Sequence, residues 1–245
     1  MEVLSAALSL GTLVLGFVLA VRLLRLAART HKAPELAMGL YCLLVTTGAL
    51  LLGVRLLGVP AESPAVFPLS ALSTLCIGLA AFALAVGIGR IFRPGESWAR
   101  GLALGIGLWI GGSWLACVLP GRPVTLADVG VANASFVAGR VVVYGFGAIE
   151  AFRYAGMLRR QVALGLADPV VPHQIRLWGI AWLCVAGIAV GSIGISFSGG
   201  QRALESPVFM LVGSTLNASA WICTWLAFFP PRGYRRWVAG ARAAA

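Results

Sequence analysis

Seven long apolar runs, separated by short polar connections, fill this chain from end to end. A transmembrane helix needs about 20 predominantly apolar residues. Runs of that length cover residues 3–24, 35–58, 66–91, 98–119, 130–157, 174–198 and 206–229. They are continuously apolar, whereas the strands of a membrane barrel alternate between lipid and lumen. A helix satisfies its own backbone N–H and C=O groups in lipid, where no water is at hand to do so. The expected fold is therefore all-α: a single domain over residues 1–245, built as a polytopic bundle of seven transmembrane helices. The balance of residue types agrees. Charged residues make up 11% of the chain and hydrophobic ones 60%, whereas a soluble domain carries about 25% charged residues. The basic residues follow the first apolar run and do not precede it, so that run reads as a retained helix and not as a signal peptide.

The connections set the expected orientation. Arg22, Arg25, Arg29 and Lys32 follow the first run, and Arg90, Arg93 and Arg100 lie between the third and fourth. Arg153, Arg159, Arg160 and Arg176 surround the fifth-to-sixth connection, and Arg232, Arg235, Arg236 and Arg242 follow the seventh. Only Arg55, Arg122, Arg140 and Arg202 belong to the other side. The positive-inside rule puts the basic side in the cytoplasm, with the N-terminus outside and the C-terminus inside. Acidic residues divide evenly between the sides, so the net charge of +11 falls on the cytoplasmic face. Its expected partners are membrane lipids with anionic headgroups and not nucleic acid. A second copy of the chain or another membrane protein is the other partner considered. One lysine, Lys32, against eighteen arginines, with abundant Ala and Gly, suggests a GC-rich genome and the inner membrane of a bacterium.

Motifs for chemistry are sparse. There is no zinc, Walker or nucleophile-elbow signature, and His31 and His173 both lie in connections. No catalytic residue, metal site or cofactor is expected, and the chain does not read as an enzyme. The five cysteines stand singly in apolar stretches, where they read as small buried hydrophobes.

Arg140 is the most informative residue. It lies about one-third of the way into the fifth run, where a charge is costly unless paired, solvated or snorkelling. Two readings are open: an anion-binding or charge-relay site, or an arginine that snorkels outward or pairs with Asp128 or Glu205. Tyr144 follows at i+4 and shares its face. Asn217, in the middle of the seventh run, needs partners for its amide and is expected to point inward. Trp178 and Trp182, at i and i+4, form either one wall of a ligand pocket or ordinary packing. These five are the candidate ligand-binding residues. Glu150, at the inner end of the fifth helix, is expected to pair with Arg153 at i+3 or with Arg176 of the sixth, as an ion pair or a charge relay.

One stretch resembles a known family. Glu205-Ser206-Pro207-Val208-Phe209-Met210 is similar to the opening of the last helix of microbial rhodopsins, which share the seven-helix architecture and orientation. The resemblance places Asn217 where that family carries its retinal-bearing lysine. Asparagine cannot form a Schiff base, and Lys32 lies in a connection, so a relative of this kind would bind no covalent retinal. The expected function is a receptor-like or sensor-like bundle that takes a lipid or other apolar ligand between its helices, with any anionic head near Arg140. A small transporter with a polar path from Arg140 to Glu150, and a structural or assembly subunit, are the alternatives.

Overall fold

The computed structural model describes residues 2–60, 62–121, 130–198 and 207–240. Among them are eight helices: α1 (Glu2–Thr30), α2 (Ala33–Gly58), α3 (Val66–Phe92), α4 (Ser97–Val118), α5 (Val131–Ala163), α6 (Val170–Ser198), α7 (Pro207–Phe228) and α8 (Arg232–Gly240). The first seven are each long and apolar enough to cross a membrane. The chain is thus a polytopic, all-α membrane protein with no strand among its described residues.

Local sequence explains where the helices stop. Pro34 stands at the start of α2 with Glu35 in its first turn, positions where proline needs no N–H partner and an acid meets the positive end of the helix dipole. The α1–α2 connection is only His31 and Lys32, and His31 takes a left-handed φ of 54° to make it. Gly95, at φ 85°, turns the chain between α3 and α4. Pro230 and Pro231 end the α7 region, and a short helix follows. In α8 the residues Arg232, Arg235 and Arg236 are exposed, whereas Val238 is buried. Residues Arg232–Gly240 thus form a helix of about two turns, and the Tyr234 and Trp237 rings lie 5.9 Å apart on it. The fifth helix also runs to Ala163, several residues past the apolar stretch.

Each of α1 to α6 packs on the next, α7 returns to α1, α8 packs on α6, and α3 touches α5 across the bundle. The ring therefore closes through α1, α2, α3, α5, α6 and α7, with α4 outside on the α3–α5 seam. Its outer surface is apolar: Leu108 of α4 is 78% exposed, a placement that suits hydrocarbon and not water. Small residues set the close contacts. A Cβ at Gly48 would lie 2.6 Å from Ile77 Cγ1 and 2.8 Å from the Ser73 carbonyl oxygen, so only glycine allows α2 this near to α3. The Ser73 hydroxyl uses that approach and donates to the Gly48 carbonyl at 2.7 Å.

Because the helices alternate in direction, the start of α1 and the end of α7 lie on opposite faces of the bundle. We call these the amino-terminal and carboxy-terminal faces.

Candidate functional site

Arg140 sits nine residues into α5, roughly 13 Å along the helix axis at 1.5 Å per residue. Side chains on a helix lean toward its N-terminus, and Arg140 obeys: its Cζ lies 5.9 Å from the ring centroid of Phe136, one turn nearer the amino-terminal face. Its Nε is buried and has no hydrogen-bond partner among the described residues. One turn deeper on the same face, Tyr144 is fully buried, and its hydroxyl likewise lacks a partner of good geometry. Tyr41 of α2 meets Tyr144 edge-on, with centroids 6.3 Å apart and planes at 76°.

These groups line a cavity of about 330 Å³ enclosed by α1, α2, α5, α6 and α7, with Ile77 reaching in from α3. Its deep end is formed by Trp182, Trp221 and Thr224, and Leu52, Phe209 and Met210 line it toward the amino-terminal face. Trp182 packs beside Gly147, where a Cβ would lie 2.8 Å from its ring and 2.7 Å from Ile88 Cδ1. That layer separates the cavity from the carboxy-terminal half.

Four of the five residues singled out from sequence come together here: Arg140, Tyr144, Asn217 and Trp182. Asn217 points inward and donates from Nδ2 to Thr12 Oγ1 at 3.3 Å, tying α7 to α1. Trp178 is the exception and does not line this cavity. One turn nearer the carboxy-terminal face than Trp182, it stacks 5.1 Å from Phe228 and 6.4 Å from Phe92. Tyr41 and Trp221 belong to the site, yet sequence did not rank them above the other aromatic and polar residues of their helices. A tyrosine in mid-run was the available signal for Tyr41. The possible partners Asp128 and Glu205, like Ser206 of the rhodopsin-like stretch, lie outside the described residues.

Glu150 does not take either expected partner. Arg153 and Arg176 are exposed, and the carboxylate is instead gripped by Arg93, at 3.0 Å from Nε to Oε2 and 3.1 Å from Nη2 to Oε1. The reason is topological. The α3–α4 turn folds Arg93 against the side of α5 that faces the bundle, whereas Arg153 points away from it. Arg93 also reaches Glu96 at 3.4 Å, and the indole N–H of Trp98 donates to the same Glu96 carboxylate. The Glu150 hydrogen bonds hold the Arg93 guanidinium still further above its ordinary range. Two parallel N–H···O bonds to a carboxylate are the geometry that arginine favours, so this pair reads as a fastening of α3 and its turn to α5. Between the levels of Arg140 and Glu150 on α5, Ile88 and Trp182 pack against Gly147.

No known family model matches this sequence, and no curated protein or solved structure is significantly similar to it.

Proposed function

We propose that this chain is a receptor-like or sensor-like membrane protein that binds a lipid or other apolar ligand, non-covalently, in the cavity between α1, α2, α5, α6 and α7. The observation that carries the reading is a largely apolar and aromatic pocket, closed at its deep end, into which an arginine with an unpartnered donor is set. Ligand pockets are of this kind: about 300–1,000 Å³, mainly apolar, with a few convergent polar groups. The sealed layer at Gly147 favours binding over the alternative of a transport path. Within the same reading, the amino-terminal face is outside and the basic carboxy-terminal face is cytoplasmic, in a bacterial inner membrane. There α8 lies at anionic headgroups with its exposed arginines and Trp237, and the chain performs no catalysis of its own.

The test is native mass spectrometry, with an absorption spectrum, of wild type and Arg140→Ala purified in mild detergent. A bound small molecule in the wild type that is depleted in the variant is the expected result. Empty protein in both overturns the occupied-pocket reading and moves the transporter and assembly-subunit alternatives ahead.

A further inference from the structure

The cavity is ordered along its depth. The Arg140 guanidinium is directed toward the amino-terminal face, over Phe136. Tyr144 lies one turn deeper and meets Tyr41. Trp182 lies at the level of Gly147, seven residues and therefore about 10 Å below Arg140. Among the described residues that line the cavity, Arg140 alone is charged.

The unmet hydrogen-bonding capacity also has a sign. Arginine has five N–H donors and no acceptor, and a tyrosine hydroxyl donates as well as accepts. Among the described residues the Arg140 Nε–H is buried without an acceptor, and the fully buried Tyr144 hydroxyl has only the neighbouring Tyr41 phenol. A buried charge is tolerated when it is paired and hydrogen-bonded. No carboxylate of the described residues lines the cavity, so an anionic ligand complements the guanidinium better than a neutral one, and a cationic one would be repelled. Size narrows the choice further. A volume of about 330 Å³ is at the lower end for small-molecule sites and suits a single short chain or a compact ring system.

We infer that the cavity selects a small monoanionic amphiphile, a carboxylate on one short apolar chain or compact ring system. Its head is held by Arg140 and Tyr144 toward the amino-terminal face, and its body rests on the layer formed by Tyr41, Tyr144 and Trp182. The inference rests on the ligand-binding reading above and specifies its ligand class. The expected pose is head up and tail down. The carboxylate faces the partly exposed Arg140 guanidinium, with Tyr144 one turn deeper, and the chain occupies the roughly 10 Å beneath.

The experiment is equilibrium binding of radiolabelled decanoate to the full chain in nanodiscs of zwitterionic lipid, with unlabelled decanoate and decan-1-ol as competitors. Saturable binding is expected in the wild type, with the alcohol competing at least tenfold less well than the acid. Arg140→Gln should weaken decanoate about tenfold or more and abolish the preference for acid over alcohol. Tyr144→Phe should weaken it a fewfold. Arg140→Lys, which keeps the charge and most of the bulk, should fall between wild type and Arg140→Gln, which separates loss of the anion site from loss of the fold. Equal competition by acid and alcohol, unaffected by Arg140→Gln, overturns the anionic class and leaves the ligand-binding reading standing. No saturable binding to folded wild type overturns the class as well. In that case a retained molecule in the native mass spectrum preserves the broader reading, and an empty spectrum removes both.

Discussion

The two halves of the bundle house an arginine under opposite conditions. In the carboxy-terminal half, Arg93 is matched by a nearly buried carboxylate, Glu150, in a two-point grip, and Glu96 and Trp98 complete its surroundings. In the amino-terminal half, Arg140 has a buried Nε with no acceptor among the described residues, and next to it stand the buried Tyr144–Tyr41 pair and a cavity. The first half is largely filled by its own side chains, although the buried Trp178 indole N–H also has no partner among the described residues. Five edge-on or tilted aromatic contacts gather around Phe92 and Trp178 in the same half. The second half keeps both a void and an unmet donor, features that folding alone does not favour. The contrast separates an arginine that serves the fold from one held for something else.

Breaking the finished half should cost the most. Glu150→Ala strands the Arg93 guanidinium against a bundle wall with its principal acceptor gone, and the largest fall in thermal unfolding midpoint of any variant here is expected. Arg93→Ala should fall in the same direction, and the double variant by less than the sum of the two, because both remove one interaction. Additive losses would show that the pair does not couple. Next comes Trp178→Ala, expected to lose about 3–5 kcal/mol, as large aromatic truncations in a core do. Because Trp178 lies beneath the cavity, ligand affinity measured on the folded fraction should stay close to wild type. A strong affinity loss would restore Trp178 to the site.

Gly147→Leu tests the layer between the halves. The added side chain would collide with Ile88 and Trp182, and such overpacking costs about 1–3 kcal/mol. It should also push Trp182 into the cavity and weaken ligand binding, so unchanged binding would mean that the layer does not form the deep wall of the site. The smallest effect is expected at Arg236, exposed on α8. Arg236→Gln should change stability by no more than about 0.5 kcal/mol, while lowering association of the purified protein with anionic relative to zwitterionic lipid. Equal lipid preference in the variant and wild type would count against an interfacial role for α8.

Much of this was legible in the residues. Apolar runs of membrane-spanning length leave a chain few choices, and all seven appear as helices near the expected bounds. Arg140 and Tyr144 could be placed on one wall because residues four apart on a helix share a face. The same rule misled at Trp178 and Trp182. They do share a face, but four residues are also about 6 Å of rise, and the cavity ends between them. Glu150 shows a different limit. Its partner Arg93 is 57 residues away in the chain, brought near by a turn that hydrophobic periodicity does not describe, whereas Arg153 and Arg176 were only closer in sequence or on the adjacent helix. Depth along a helix and the aim of a turn are tertiary facts, and both of the site errors arise from them.

The most direct test of the contrast is the thermal unfolding of two matched variants in delipidated, ligand-free protein: Arg93→Met and Arg140→Met. Removing a buried donor that has no acceptor should relieve about 1–3 kcal/mol, so Arg140→Met is predicted to melt at or a few degrees above wild type. Arg93→Met, which abandons the Glu150 carboxylate, is predicted to melt well below it. If Arg140→Met is destabilised as much as Arg93→Met, then Arg140 is a structural arginine like its counterpart, and the account of an amino-terminal half kept open for a ligand is wrong.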